Sequence, residues 1–178
     1  MSEQWDIEVP EEELKFEPPS FKPVKTGFYK AVLGPRDGSE TPTAAYSSGE
    51  GDNGEWEACD FCCNDFTGMN GDIAFVNYEV SGRFYGNAAV KVVNMARALN
   101  IAEKTDGGFK PLAGNMSEFC EQAAAMQGTA VKVHVRTGPR RRPSDDVDAK
   151  GKRIWVTQFQ DDGETPWIDS KIDSVEPL

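Results

Sequence analysis

A strict alternation of apolar and cationic side chains near the C-terminal end is the feature that most constrains the fold of this chain. Valine occupies every second position of residues 131–135, and the positions between and after the valines carry Lys132, His134 and Arg136. Because successive side chains of a strand point to opposite faces, the pattern predicts a strand with one apolar and one cationic face. Such a strand requires a sheet whose apolar face is covered.

A second alternating stretch, residues 153–159, predicts another strand and places Arg153, Trp155 and Phe159 on one of its faces. The loop between the two strands carries three adjacent cations, Arg140, Arg141 and Arg142. Cations interleaved with aromatic rings suit a single nucleic-acid strand, because phosphates meet the charges and bases stack on the rings. An amphipathic hairpin with a solvated outer face explains the same pattern without any ligand.

The charge of the chain is unevenly distributed. The net charge is −11 over 178 residues, yet residues 129–156 contain eight lysines and arginines against three acids. An acidic protein with one basic segment can bind a polyanion at that segment while repelling it elsewhere. Solubility alone also explains an excess of acids, so both interpretations stay open.

The rest of the chain predicts three earlier strands and two helices. The strands are expected over residues 27–33, 55–63 and 72–82, and Phe75 lies on the face of the third that is opposite its valines. Residues 36–54 have no period and are predicted to form a long loop. One helix is expected from Asn87, and Asn115 with Glu118 predicts the capped start of a second.

The resulting order is three strands, two helices and two strands. We therefore expect a mainly β protein with helices, in the α+β class, folded as an OB-fold-like five-stranded barrel with two helices between strands 3 and 4. Residues 1–22 are predicted to be an acidic flexible arm and residues 23–160 the OB-like domain. Residues 161–178 are predicted to be an acidic C-terminal tail.

Four cysteines include Cys59 and Cys62, which have the spacing of half a structural zinc site. A closed site needs two more ligands, and the only other cysteines and histidines in the sequence are Cys63, Cys120 and His134. Adjacent Cys62 and Cys63 would point to opposite faces of a strand, which opposes a shared tetrahedral site. We predict no metal, no cofactor and no catalytic residue, hence a protein that is not an enzyme; a small zinc-stabilised enzyme is the weakest alternative.

No stretch of the sequence approaches the roughly 18 apolar residues of a membrane helix, and residues 1–4 lack the pattern of a signal peptide. The sequence thus predicts a cytoplasmic protein that does not bind membranes. Its cysteines are then expected to be reduced thiols rather than a disulfide framework.

Three short motifs within residues 21–160 carry a resemblance to a known family. They are Pro23-Val24-Lys25-Thr26-Gly27-Phe28-Tyr29, Gly82-Arg83-Phe84-Tyr85-Gly86 and Gly128-Thr129-Ala130-Val131-Lys132-Val133. The layout resembles bacteriophage single-stranded-DNA-binding proteins encoded near recombination and replication genes. The resemblance implies an OB-like barrel that acts on DNA in the cytoplasm of an infected bacterial host.

The C-terminal residues Glu176-Pro177-Leu178 are similar to the partner-recruiting tails of bacterial single-strand-binding proteins. This likeness implies a replication or recombination protein as a second partner, and a homo-oligomer is left open.

The sequence therefore predicts a protein that binds single-stranded DNA. Phosphates are expected at Lys132, Arg136, Arg140, Arg141, Arg142 and Arg153, and bases are expected to stack on Phe75 and Trp155. The alternative is an acidic protein-interaction module, such as a virion or regulatory component, whose surface mimics nucleic acid.

Overall fold

The structure, a computed structural model, describes residues 8, 10, 24–75 and 79–178. Within these residues the chain is mainly β with two helices, which confirms the α+β class. The predicted arm, residues 1–22, lies outside the described residues apart from Glu8 and Pro10. The side chains of residues 73–75 are likewise outside the description.

Strands and helices follow one another in a simple order along the described chain. The first five strands are β1 (Gly27–Leu33), β2 (Ala44–Gly51), β3 (Gly54–Gly68), β4 (Ile73–Phe75) and β5 (Val80–Tyr85). Then come α1 (Ala89–Ala98), β6 (Ala102–Thr105), β7 (Gly108–Pro111) and α2 (Met116–Ala125). The last four strands are β8 (Ala130–Pro139), β9 (Arg141–Val147), β10 (Arg153–Thr157) and β11 (Ile168–Glu176).

Five strands form a closed ring in the order β1, β8, β11, β5 and β3, and β3 pairs again with β1. Neighbours in the ring are antiparallel except β5 and β11, which run parallel with Ile172 opposite Gly82. The length of β3 allows the closure, because its middle pairs with β5 and residues 63–68 pair with β1. The remaining strands of this sheet, β2 and β4, pair with β3 outside the ring.

The core lies inside the ring and beneath the two helices. Alternate residues of β8, Val131, Val133 and Val135, are almost completely buried, as their spacing predicts. The helix α1 packs against β11, and α2 packs against β2 and β3. Each helix contributes a buried stripe, for example Met95 and Ala96 of α1 and Phe119 of α2.

The start of α2 agrees with its predicted cap. The backbone N–H of Glu118 donates to Oδ1 of Asn115 at 2.8 Å, and the Glu118 carboxylate accepts from the N–H of Gly114 at 2.7 Å. These bonds satisfy donors that the first turn of a helix leaves unpaired, and such caps typically contribute about 1 kcal/mol. The predicted bounds of β1 are confirmed as well.

Three sequence-based expectations need correction. The predicted loop 36–54 contains β2, whose register with β3 runs from Ala44 to Gly51. The third predicted strand, residues 72–82, ends too early, because β5 continues through residues 83–85. Its residues 76–78 lie outside the described residues. The arginine loop is partly a strand, since β9 begins at Arg141 and pairs with β10.

The predicted acidic tail, residues 161–178, contains a strand of the ring. Strand β11 pairs with β8 over residues 168–176, and its Ile172 and Val175 are buried in the core. The expectation of a tail outside the domain is therefore corrected, because the apolar side chains of β11 complete the interior of the ring.

Ending the chain at residue 160 removes β11, so β8 and β5 lose their shared neighbour. We expect the truncated protein to lose its cooperative thermal unfolding transition, because buried residues of the core would face water. Circular dichroism during heating measures this directly. A truncated chain that melts at the temperature of the full chain would contradict the ring.

Gly82 occupies a position where the ring leaves no room for a side chain. A Cβ there would lie 2.6 Å from Cζ of Phe61 and 3.0 Å from the carbonyl oxygen of Ile172. We expect Gly82→Ala to lower the free energy of unfolding by roughly 1–3 kcal/mol, the usual cost of overpacking. The control is Gly107→Ala, where a Cβ meets nothing within 4 Å. Equal urea midpoints for the two variants would contradict the close approach of β5 to β11.

Candidate nucleic-acid interface

An open groove of about 920 Å³ runs along the outside of the ring. Its floor includes outward residues of β3 and β5, among them Asp60, Ser81 and Arg83. The start of the β9–β10 hairpin forms one side through Arg141 and Trp155. The groove therefore lies between a sheet surface and a projecting hairpin.

Cations outnumber carboxylates in this groove. Six cationic side chains line it, Arg83, Lys91, Arg136, Arg140, Arg141 and Lys171. Three carboxylates line it as well, Asp60, Asp169 and Asp173. An excess of three positive charges in a chain of net charge −11 makes the groove a local attractor for anions.

Two of the carboxylates hold an arginine each. Asp169 accepts two hydrogen bonds from Arg140, at 2.7 and 2.8 Å, and Asp60 accepts two from Arg83. The hydrogen bonds from Arg140 hold the pKa of Asp169 below its usual value. Partial burial acts to raise the pKa of Asp60, but the hydrogen bond and charge of Arg83 outweigh it and the pKa is lowered.

The third carboxylate, Asp173, lies among three basic side chains. Its oxygens are 3.1 Å from Nζ of Lys91, 3.2 Å from Arg136 and 3.6 Å from Nδ1 of His134. Partial burial acts to raise the pKa of Asp173, but Lys91 and the other cations outweigh it and the pKa is lowered. Asp173 therefore stays ionised and holds these side chains together at the edge of the groove.

These ion pairs leave the cations accessible to phosphate. The side chains of Arg83, Arg136 and Arg140 are 46%, 69% and 46% exposed. A single-contact exposed ion pair contributes only about 0–1 kcal/mol, so a phosphate can replace the carboxylate at Arg136 at little cost. At the bidentate pairs of Arg83 and Arg140 a phosphate can share the exposed guanidinium with the carboxylate. Arg141 and Lys171 make no ion pair with any described residue. A phosphate can therefore contact them without displacing a carboxylate.

Two aromatic rings face the groove. Trp155 of β10 is 53% exposed and Tyr85 of β5 is 41% exposed. The ring of Tyr85 packs edge-on against Trp56 at 5.7 Å, and the guanidinium of Arg83 lies 5.4 Å from the Trp56 ring centre. These contacts hold Tyr85 and Arg83 in place, so a ring and a cation are presented side by side.

The β9–β10 hairpin approaches the turn between β2 and β3. Nε of Arg153 lies 3.8 Å from a carboxylate oxygen of Asp52, which belongs to that turn. The carbonyl oxygen of Trp155 accepts a hydrogen bond from Arg141 at 2.6 Å, which ties β9 to β10 within the hairpin. The bonds from Arg140 to Asp169 of β11 hold the base of the hairpin at the groove.

The structure brings half of the sequence-predicted site residues to this groove, namely Arg136, Arg140, Arg141 and Trp155. Arg142 follows Arg141 on β9 and therefore points to the other face of that strand. Arg153 lies at the contact between the arms, and Lys132 lies on β8 beside Phe28. The backbone of Phe75 pairs with Phe66, and the direction of its ring lies outside the description.

Four groove residues were missed from the sequence, Arg83, Tyr85, Lys91 and Lys171. The alternation of buried Val80 and Phe84 with exposed Ser81, Arg83 and Tyr85 was a signal that could have identified the first two. Lys91 and Lys171 come from a helix and from the presumed tail, and no local pattern indicates that the ring places them together.

The four cysteines are all buried. Cys59 and Cys63 belong to the core inside the ring, whereas Cys62 points the other way, with Sγ 3.5 Å from the carbonyl oxygen of Pro42. No group of three metal-ligating side chains occurs among the described residues. Burial raises the pKa of the Cys62 thiol to about 11, so it is protonated and a weak nucleophile at neutral pH.

Neither a known family model nor a curated protein matches this chain. Of the two described helices, neither has the length and apolar character needed to cross a membrane.

The raised pKa of Cys62 makes stability fall at alkaline pH. The protonated thiol is favoured in the folded state, so its contribution is complete below the unfolded pKa near 9 and is lost as pH rises toward about 11. We expect urea unfolding to show that this thiol lowers the free energy of unfolding by up to about 1.4 kcal/mol per pH unit. The free energy of unfolding of Cys62→Ala should fall less than that of the parent protein over the same pH range. Parallel curves for the two proteins between pH 8 and 10.5 would contradict the burial of the thiol.

Proposed function

We propose that this chain binds single-stranded DNA in the groove between the β9–β10 hairpin and the outer face of β3 and β5. The observation that carries the proposal is the coincidence of excess positive charge with the exposed rings of Trp155 and Tyr85 in an otherwise acidic protein. Phosphates meet the cations and bases stack on the rings, which requires no catalytic group.

The ring supports an OB-fold-like barrel as part of this proposal. In chain order, β3 and β5 are the second and third strands of the ring, and β8 and β11 are the fourth and fifth. Oligonucleotides bind to OB folds on the face of the second and third strands, between the loops that join strands 1–2 and 4–5. Here β2 and the β9–β10 hairpin lie in those two connections, and the hairpin lines one side of the groove on the outer face of β3 and β5.

Single strands are favoured over duplexes because the rings need unpaired bases. Trp155 and Tyr85 project from a hairpin and a sheet, and paired bases present only their edges to such surfaces. On the resemblance to phage proteins, we expect this activity to serve DNA replication or recombination inside an infected bacterium. Recruitment of a partner by a free tail receives no support from the fold, since residues 168–176 are held between β8 and β5.

The first test is fluorescence anisotropy with labelled poly-dT, a hairpin duplex and the unmodified protein at two salt concentrations. We expect the single strand to bind more tightly than the duplex and the affinity to fall as salt rises, because phosphate contacts release counterions. Equal affinity for both DNAs, or no binding at low salt, would overturn the proposal and favour a protein-binding module.

Neighbouring residues on opposite faces of the hairpin provide matched variants. Arg141→Gln should weaken binding and reduce the slope of log K against log salt by about 0.7, whereas Arg142→Gln should leave that slope unchanged. Arg141 lines the groove and Arg142 follows it on the same strand, so the pair differs in direction rather than in chemistry. A slope reduced equally by both variants would contradict the groove as the phosphate site.

Stacking is tested in the same way on β10. Trp155→Ala should lower the affinity about fivefold to a hundredfold with little change in slope, since a stacked base contributes roughly 1–3 kcal/mol. Ile154→Ala is the control, because Ile154 is 43% exposed but does not line the groove. Melting temperatures of both variants show whether the hairpin stays folded. Normal binding by a folded Trp155→Ala protein would show that no base stacks on the Trp155 ring.

A further inference from the structure

Another exposed ring, Phe28 of β1, lies on the outside of the ring of strands next to the groove. It is 47% exposed, and its register partner on β8 is His134. The two rings lie 4.8 Å apart at 52°, and Nζ of Lys132 lies 4.6 Å from the centre of the Phe28 ring. Lys30, the register partner of Lys132, is exposed on the same face. We name Phe28, Lys30, Lys132 and His134 the Phe28 platform.

The platform is continuous with the groove through Asp173. One oxygen of Asp173 is 3.2 Å from Arg136, which lines the groove, and 3.6 Å from Nδ1 of His134, which contacts Phe28. Arg136 and His134 are two residues apart on β8, and Phe28 is one strand away. Standard strand dimensions give about 8 Å between the backbones at Arg136 and Phe28. A DNA strand that leaves the groove at Arg136 therefore reaches the platform within one or two nucleotides.

The charges of the platform suit a sugar-phosphate chain. Lys30 and Lys132 flank the ring, and Glu176 is the carboxylate next to Lys132, at 3.5 Å. The side chain of Lys132 is 31% exposed, so this pair is weak and phosphate can compete for the ammonium group. Phe28 contacts His134 at a tilt of 52° and keeps about half of its surface in water, so a base can stack on the exposed part of the ring.

We propose that the Phe28 platform is a second nucleotide-stacking subsite, which extends the path of the single strand from the groove across β11 and β8 to β1. The inference rests on the proposed function of the groove. It assigns to Lys132 a phosphate that lies beyond the groove, and it predicts a binding footprint longer than the groove alone provides.

The test compares a short oligonucleotide, dT5, with a long one, dT15, by anisotropy. Phe28→Ala should leave the affinity for dT5 unchanged and lower that for dT15 about fivefold or more, because one stacked base is lost. Phe109→Ala is the matched control: Phe109 on β7 is 43% exposed and lies 4.4 Å from the guanidinium of Arg97, away from the groove. It should change neither affinity.

A second variant, Lys30→Gln with Lys132→Gln, keeps the test valid if Phe28→Ala is unstable. It should reduce the salt slope for dT15 but leave the slope for dT5 unchanged. Unchanged dT15 binding in both variants would overturn the platform while the groove stands. An equal loss for dT5 and dT15 would also overturn it, because Phe28 would then belong to the first few nucleotides. A parent protein that binds neither oligonucleotide removes the proposed function itself.

Discussion

The position of β11 between β8 and β5 is the constraint on which the rest of the structure depends. One face of this strand places Ile172 and Val175 in the core, and the ring is closed only because β11 pairs on both of its edges. The other face carries Asp169, Lys171 and Asp173 to the floor of the groove. The same nine residues therefore close the ring and organise the charges of the candidate site.

The acidity of the chain and an anion-binding groove are compatible because the carboxylates in the groove are each paired with a cation. Asp60, Asp169 and Asp173 hold the arginine and lysine side chains near the groove before any ligand arrives. Side chains that are already held in place lose less conformational entropy on binding. If the groove binds DNA as proposed, repulsion from the other acids shifts binding toward low salt and disfavours DNA outside the groove.

Local signals in the sequence were sufficient where the structure is local. The bounds of β1 and the cap of α2 follow from neighbouring residues, and both were predicted. The role of β11 could not be predicted in this way. A bulge between Ile172 and Ser174 breaks the period of two and spaces the buried residues of β11 three apart. Among many acids, that spacing is typical of a polar tail.

Only part of the candidate site was predicted, because some of its residues meet through long-range pairing of strands. Arginines and Trp155 in an exposed hairpin were recognisable as candidates, but both faces of that hairpin are exposed, so no apolar pattern separates Arg141 from Arg142. Lys91, Arg83 and Lys171 come from α1, β5 and β11 and meet only through ring closure. Their proximity is a property of the topology.

The most direct test of the account is photo-crosslinking of a single strand that contains 5-iodouracil, followed by mapping of the modified peptides. Halogenated bases crosslink to aromatic side chains on which they stack, so the groove predicts modification of Trp155 and Tyr85. Excess unlabelled single strand should abolish these crosslinks. Crosslinks confined to rings outside the groove, such as Phe109 on the β6–β7 hairpin, would contradict the proposed path of the DNA.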